Sequence, residues 1–204
     1  MDYFTVDGET RTTYEINRSI FIATVRGVTS YNDGIEFVKR ISSEFSDATH
    51  NCYALVALGG EQKFSDNGEP QGTAGQPILQ VLKKRNLTNV ACVVTRYFGG
   101  IKLGAGGLVA AYTKATCDAL DNAKIVEKKE SYVCEIKVSY ADLGFLNNLL
   151  ATYPVFDRKY ENDVTVTFAL PIGSLNSFTE KVNETFNGKL KIETKEKKHI
   201  DFNL

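Results

Sequence analysis

The stretch that decides the fold is NVACVVTRYFGGIKLGAGGL, residues 89–108. Its first nine residues are almost all apolar or β-branched, which predicts a central strand buried on both faces. Five of the chain's 16 glycines follow within residues 99–107. An apolar helix is then predicted from near Ala105 to Leu120, with Leu108 and Tyr112 on its buried face. The sequence therefore predicts a strand, a glycine-rich turn and a helix that packs on the sheet.

Two explanations account for this glycine-rich turn. Free N–H groups at a helix N-terminus attract anions, and Arg96 and Lys102 would add charge-assisted hydrogen bonds to a phosphate or carboxylate. Alternatively, the glycines serve packing, because they permit a tight turn and let the helix lie close to the sheet. Both explanations stay open from the spacing alone. The candidate anion- or ligand-binding residues are Arg96, Gly99, Gly100, Lys102, Gly104, Gly106 and Gly107.

The segments before this stretch predict a sheet with a helix inserted. Residues 14–28 read as two short strands, and residues 30–45 as a helix that Ser30 and Asp33 begin as a capping box. A strand over residues 52–58 is followed by residues 59–77, whose glycines and prolines predict a long loop without regular structure. Loops of that length in compact domains are usually functional or disordered. A short helix with Pro77 in its first turn then leads into the central strand.

The second part of the chain has a different order of elements. Alternating and helical apolar patterns predict strand, helix, strand, strand, helix and strand, which is the ferredoxin-like β-α-β-β-α-β order. Glu161 and Asn162 form the predicted hairpin turn. The boundary falls near residues 125–129. The sequence thus predicts an α+β protein of two domains, residues 1–127 and 128–204.

The charges and cysteines restrict the class of protein. The net charge is −1, with 14 basic and 14 acidic residues up to residue 128 and 10 and 11 beyond it, so any polyanion must bind a local patch. Four cysteines at irregular spacing fit neither a zinc site nor a disulfide framework. Without a run of 18 apolar residues or a secretory signal pattern, we expect a cytoplasmic protein that does not enter a membrane. We predict no metal and no cofactor.

Several polar residues are candidates for chemistry. His50 suits a base, an anion ligand or a hydrogen-bonded structural histidine. Asp66 and Glu69 could bind Mg²⁺ or cap the turn and the next helix. Cys52 would share a strand face with His50, which allows a Cys-His nucleophile. The supporting site candidates are His50, Asp66, Glu69 and Thr73.

A basic run, Lys83-Lys84-Arg85, ends the short helix that begins near Pro77. Cations there complement the helix dipole on a solvated face. Alternatively they form a phosphate-contact patch, with Tyr97 and Phe98 stacking on bases.

Three separated segments resemble one known family. HNCYALVAL (residues 50–58), FSDNGEPQGTAGQPIL (64–79) and VVTRYFGGIKLGAGGLVAAY (93–112) are similar to the YigZ/IMPACT family, and the resemblance spans nearly the whole chain. The positions that match the family motifs are His50, Asp66, Gly68, Glu69, Pro70, Gly72, Thr73, Gly75, Arg96, Tyr97, Phe98, Gly99, Gly100, Lys102, Gly104 and Gly107.

The resemblance implies a fold for each domain and a role related to translation. The first domain would resemble the second domain of a small-subunit ribosomal protein, and the second the last domain of elongation factor G. Eukaryotic members regulate translation by binding the activator of an initiation-factor kinase, and they carry an N-terminal RWD domain. This chain has only a short leader before the IMPACT-like domain, so we do not expect that partner interaction from the resemblance alone.

We therefore expect a translation-linked regulatory or binding protein that contacts RNA or a ribosome-associated partner through the glycine-rich turn. One alternative is an enzyme for a small phosphorylated or carboxylated substrate, in which His50, Asp66, Glu69 and Arg96 would converge. Another is a protein-interaction module in which the glycine-rich turn is only structural. The sequence assigns no catalytic residue and predicts no oligomeric state.

Overall fold

A computed structural model describes residues 1–202. The chain divides into two compact units, which are described separately below. The first unit comprises Tyr3–Val126, and the second comprises the chain from Glu127 onward together with Met1 and Asp2. The N-terminal amine of Met1 joins the second unit through an ion pair with Glu130, at 2.8 Å.

The first unit is an antiparallel sheet with helices on both faces. Its elements in chain order are β1 (Tyr3–Val6), β2 (Glu9–Ile16), β3 (Ser19–Gly27), α1 (Tyr31–Glu44), β4 (His50–Val56), β5 (Gln62–Ser65), α2 (Gly75–Lys84), β6 (Val90–Tyr97) and α3 (Gly104–Asp121). β2 to β6 form a sheet in the order β2-β3-β6-β4-β5. As predicted, the apolar strand β6 lies at the centre.

Strand β6 supplies both layers of the core, because successive side chains point to opposite faces of a sheet. Cys92 and Val94 pack with residues of α2 and α3, among them the fully buried Tyr112. Ala91 and Val93 pack with residues of α1 on the other face. The near-continuous apolar run in β6 is thus explained by burial on two sides.

The predicted capping box of α1 is observed with its second half displaced by one residue. The Ser30 hydroxyl accepts a hydrogen bond from the Asp33 amide at 3.1 Å. The Asp33 carboxylate, in return, accepts from the amide of Thr29 at 2.8 Å rather than from that of Ser30. Local spacing was sufficient to locate this helix start.

The prediction that residues 59–77 lack regular structure was wrong for seven of them, the four residues of β5 and the first three of α2. β5 (Gln62–Ser65) pairs antiparallel with β4, from Val56 opposite Gln62 to Tyr53 opposite Ser65. Its side chains are largely exposed, so no apolar alternation marks it in the sequence. Its order comes from the backbone hydrogen bonds of β4, which side-chain periodicity does not report.

The second unit has the predicted β-α-β-β-α-β order. Its elements are β7 (Ile125–Val138), which begins at the boundary, α4 (Leu143–Leu149), β8 (Val155–Tyr160), β9 (Val164–Pro171), α5 (Leu175–Phe186) and β10 (Ile192–Asp201). β10 pairs with β7, β7 with β9, and β9 with β8, all antiparallel. The inward residues of β9 pack against Phe178 and Val182 of α5. The predicted two-domain α+β fold is therefore confirmed.

Among residues 1–202, none of the helices combines the length and apolar character needed to span a membrane.

Candidate functional site

The predicted site residues gather at one end of the first unit. β6 ends at Tyr97, and its antiparallel neighbours β3 and β4 begin at that end, with Ile20 opposite Tyr97 and His50 opposite Arg96. The loop between β5 and α2 is tied to the start of β4, since the Asn67 side chain accepts from the Asn51 amide at 2.7 Å. The segments that resemble the YigZ/IMPACT motifs therefore meet at the C-terminal end of β6.

The start of α3 is open to solvent. Gly104, Ala105 and Gly106 are exposed. Within residues 1–202, no side chain accepts a hydrogen bond from the first turn of this helix. Lys102 is also exposed and has no ion-pair partner in the described part of the chain. Uncapped amides and one free cation thus lie within three residues of each other.

The glycines of the turn fall into two groups. A Cβ atom on Gly99 would lie 2.0 Å from backbone atoms of Arg18, and one on Gly107 would lie 3.0 Å from the Leu103 Cβ, so both serve close packing. Gly106 would meet no heavy atom within 4 Å, so the packing explanation does not account for it.

Two further glycines set the direction of the turn. Gly100 and Gly104 adopt φ values of +83° and +71°, a conformation that favours glycine, and both border open space. The turn is therefore built by backbone geometry at residues 100 and 104, while the first helical turn stays uncovered.

Arg96 is buried, which differs from the predicted role of contacting an external anion. Its guanidinium donates to the Glu69 carboxylate at 2.6 Å, and the two residues are 5% and 8% exposed. The hydroxyl of Tyr112 donates to the same carboxylate oxygen at 2.8 Å. Glu69 is thus the acceptor at the centre of a buried polar cluster, and neither predicted role, capping or Mg²⁺ binding, describes it.

The rest of the Arg96 guanidinium is held by the turn and its neighbours. One nitrogen donates to the Ser19 hydroxyl at 3.3 Å, and the planar group lies 5.3 Å from the centre of the Phe98 ring. Its Nε is buried and lacks a hydrogen-bond partner among residues 1–202. Of the two predicted cations, Arg96 therefore supports the base of the glycine-rich turn, and Lys102 is the exposed one.

His50 lies beside this cluster with a fixed orientation. Its Nδ1 is 2.8 Å from the carbonyl oxygen of Asn67, so Nδ1 must carry the proton of that hydrogen bond. In the neutral ring, Nε2 then presents a lone pair, 3.9 Å from the free carboxylate oxygen of Glu69. The His50 side chain is 20% exposed, whereas that of Glu69 is 3% exposed.

Asp66 caps α2, which is one of the two roles that its sequence position predicted. Its carboxylate accepts hydrogen bonds from the amides of Gly72, Ala74 and Gly75 at 2.8 to 3.1 Å. The Thr73 hydroxyl turns back to the carbonyl oxygen of Pro70 at 2.6 Å. Within residues 1–202, no group of three or more His, Cys, Asp or Glu side chains is placed to hold a metal ion.

A Cys-His nucleophile is not supported. The Cys52 thiol is buried and donates to the carbonyl oxygen of Asp66 at 2.9 Å. Burial is the main reason that the pKa of this thiol is raised to about 12, and the nearby carboxylates of Glu69 and Asp66 contribute. At neutral pH the thiol stays protonated, so it is a poor nucleophile.

The basic run lies away from this end of the unit. Lys83 and Lys84 are in the last turn of α2, about 15 Å along the helix axis from its start. Arg85 pairs with Asp121 at the C-terminal end of α3, at 2.5 Å. The structure therefore does not bring the basic run together with the glycine-rich turn.

Sequence reasoning missed the site roles of Ser19, Asn67 and Tyr112. Tyr112 was predicted only as a core residue, because its helical spacing reports burial and not the hydroxyl's partner. Asn67 carried a weak signal, since asparagine before glycine marks a turn, and it adopts φ +42°. Ser19 follows the β2–β3 turn and gave no signal.

Comparison with known proteins agrees with the resemblance. The family described as Impact N-terminal domain matches residues 17–120, and a domain of unknown function, DUF1949, matches residues 136–189. IMPACT family member YvyE of Bacillus subtilis is 37% identical over 203 residues, which cover 98% of this chain and 94% of that protein. IMPACT family member YigZ of Escherichia coli is 33% identical over 188 residues, 87% of this chain and 90% of the relative.

A solved structure has a similar fold across both units. It is a crystal structure of a hypothetical protein, with a TM-score of 0.63 and 30% identity, covering 96% of this chain and 98% of the other.

Proposed function

The chain belongs to the IMPACT family, and from that premise we propose that it is a translation-linked regulatory protein that contacts RNA or a ribosome-associated partner. The contact is made by the open start of α3, where Lys102 and the exposed amides of the first helical turn hold a phosphate group. RNA supplies phosphates at regular intervals, whereas a ribosome-associated protein supplies carboxylate side chains to the same amides.

The observation that carries this proposal is the exposed first turn of α3. Its amides have no side-chain acceptor among residues 1–202, and Gly104 and Gly106 leave space where side chains would stand. Free N–H groups and the helix dipole both favour negative charge at that position. With Arg96 committed to Glu69, Lys102 adds the charge that an incoming phosphate meets.

The test is the salt dependence of RNA binding by the full chain. A labelled single-stranded RNA of 20 mixed nucleotides is titrated between 50 and 200 mM salt, followed by fluorescence anisotropy. Loss of one phosphate contact lowers the slope of log affinity against log salt by about one. We expect that change for Lys102→Ala and no change for Lys39→Ala, an exposed lysine of α1 on the opposite face of the sheet.

Binding that ignores both salt and Lys102→Ala would contradict the proposal. Co-sedimentation with ribosomes from the host then distinguishes the two partners. Competitor RNA displaces the protein from ribosomes if RNA is the ligand. It has no effect if the contact is made with a ribosome-associated protein.

A second candidate function is an enzyme for a small phosphorylated or carboxylated substrate. It is favoured by the distance of 3.9 Å between His50 Nε2 and Glu69, with Arg96 on the same carboxylate. His50 would accept the proton of an attacking hydroxyl or water. Turnover of p-nitrophenyl phosphate that is lost in His50→Gln would support it. Turnover that survives the change, or no turnover in the unaltered protein, would count against it.

A further inference from the structure

A groove of about 530 Å³ runs between α2 and α3 on the outer face of the first unit. Its walls are two rows of side chains, Gln76, Gln80 and Lys84 on α2 and Val109, Thr113 and Cys117 on α3. Between the rows lie Pro77 and Val81, so most of the groove surface is apolar. None of these residues takes part in the cluster around Glu69.

The two rows have the spacing of a helix-binding surface. In each helix the wall residues recur every four positions, which forms a ridge along the helix. Arg85, which follows the last residue of α2, pairs with Asp121 at the C-terminal end of α3, so the two helices run in the same direction. Each row spans nine residues, a rise of about 12 Å, which equals roughly two turns of an α-helix. A third helix can place a row of side chains between the two ridges.

The groove is polarised along its length. One end is lined by Lys84 and Arg85, with the exposed Lys83 next to them in the chain, and Arg85 alone of these has an ion-pair partner among residues 1–202, which is Asp121. The opposite end carries Val109, which is 38% exposed, and the buried Val81 lies between the two ends. An occupant must therefore combine apolar side chains with carboxylates at one end. RNA fits less well, because its phosphates would lie along an apolar floor without cations.

We propose that this groove binds an amphipathic helix of a partner protein whose first turn is acidic. The carboxylates of that turn lie against Lys83 and Lys84, and apolar residues three and four positions apart fill the groove toward Val109. The bound helix runs antiparallel to α2 and α3. Its N-terminus, which favours acidic residues, then faces the C-terminal ends of both helices, so the dipoles are complementary.

This binding surface is distinct from the proposed phosphate contact. The groove begins at Val109, beyond the first turn of α3, and its basic end lies at the opposite end of α2 from the glycine-rich turn. RNA binding and helix binding can therefore be lost independently. Lys102→Ala should leave helix binding unchanged, and a substitution at Lys84 should leave RNA binding unchanged.

The test uses the full chain and a designed peptide of 14 residues with blocked ends. The peptide has three glutamates in its first turn, leucines at positions 5, 8 and 12, and alanine and glutamine elsewhere. We expect saturable binding by fluorescence anisotropy. Lys84→Glu should weaken it roughly tenfold, because it replaces an attraction by a repulsion. The matched control Lys39→Glu changes the net charge equally, lies on α1, and should bind as the unaltered protein does.

Cys117 provides a second readout from within the groove. It is partly exposed, whereas Cys52, Cys92 and Cys134 are buried, so a thiol reagent reports on Cys117 in the folded protein. Bound peptide should slow its alkylation, and a version with lysines in place of the glutamates should not. Circular dichroism of each variant establishes that the fold is retained.

Four outcomes would overturn the proposal. Equal affinity of Lys84→Glu and Lys39→Glu would show that the basic end is not used. An unchanged alkylation rate with saturating peptide would place the peptide elsewhere. Protection of Cys117 that rises with protein concentration, with a dimer in sedimentation, would assign the groove to a second copy of the chain. Protection by the RNA probe alone would assign it to nucleic acid.

Discussion

The starts of α2 and α3 lie at the same end of the first unit, but only the start of α2 is capped by a side chain. At α2, the Asp66 carboxylate accepts from three amides of the loop and the first turn. At α3, no side chain among residues 1–202 does so. Both helix ends carry the same partial positive charge. One is therefore neutralised from within the chain, and the other remains for an anion from outside.

The difference shows that glycine content alone does not identify a ligand site. Both turns contain glycines with positive φ, for example Gly72 at +77° and Gly104 at +71°. What separates them is whether an acceptor reaches the amides. The capped start of α2 is called the closed end here, and the uncapped start of α3 the open end. The closed end also adjoins the buried cluster of Glu69, Arg96 and Tyr112. We therefore expect substitutions at the closed end to change stability, and substitutions at the open end to change binding.

The largest effect is expected for Glu69→Ala at the closed end. It leaves the Arg96 charge buried without its partner, and breaking a buried ion pair in this way costs about 3–5 kcal/mol. Urea unfolding of the full chain measures the loss. Arg85→Ala, which breaks the exposed pair with Asp121, is the control and should cost no more than about 1 kcal/mol. Similar costs for both variants would mean that Glu69 and Arg96 do not form a buried pair.

Asp66→Ala should cost about 2–3 kcal/mol. Three amides lose a charged acceptor, and a single hydrogen bond to a charged group contributes about 1.5–3 kcal/mol. The total is less than three times that value, because water hydrogen-bonds to the amides that the carboxylate leaves. Amide hydrogen exchange should accelerate in the first turn of α2 and stay unchanged in the first turn of α3. Equal acceleration at both helix starts would remove the distinction between a closed and an open end.

A carboxylate placed at the open end should weaken RNA binding with a small effect on stability. Gly104→Asp places a carboxylate beside the exposed amides, where it competes with a phosphate, and we expect RNA affinity to fall about tenfold, or about 1.4 kcal/mol. Gly104→Asn is the matched control, since asparagine tolerates positive φ equally well and carries no charge. Equal RNA affinity of the two variants would argue that phosphate does not bind at this helix start.

The smallest effect at neutral pH is expected at Cys52, whose thiol binds the loop of the closed end. Its pKa is raised from 9.0 to about 12 by burial. Above pH 9 the unfolded chain releases this proton and the folded chain keeps it, so stability falls as pH rises, by at most about 1.4 kcal/mol per pH unit. Cys52→Ala should flatten the decline in unfolding free energy between pH 9 and 11. An unchanged slope would contradict the assignment.

Sequence analysis succeeded where the determining contacts are local or periodic. The apolar run of β6, the helical spacing of Leu108 and Tyr112, and the cap at Ser30 each depend on residues a few positions apart. The hairpin around Glu161 was predicted for the same reason.

The parts that failed depend on contacts between distant residues. Glu69 meets Arg96 and Tyr112, which lie 27 and 43 residues later, and no spacing rule connects them. The sequence analysis therefore predicted Arg96 as a cation available to a ligand, whereas Arg96 forms a buried ion pair with Glu69. β5 was missed because its partner strand, and not its own side chains, gives it order.

The close approach at Gly99 joins the glycine-rich turn to the tip of the β2–β3 hairpin. The Gly99 amide donates to the Ser19 hydroxyl at 3.3 Å, and the backbone of Arg18 leaves no room for a side chain at residue 99. Asn17 and Arg18 form the two-residue turn at this tip, with φ values of +48° and +61°. A ligand that immobilises the turn must therefore also damp the motion of the hairpin tip, and a fluorophore attached there would sense occupancy without touching the ligand.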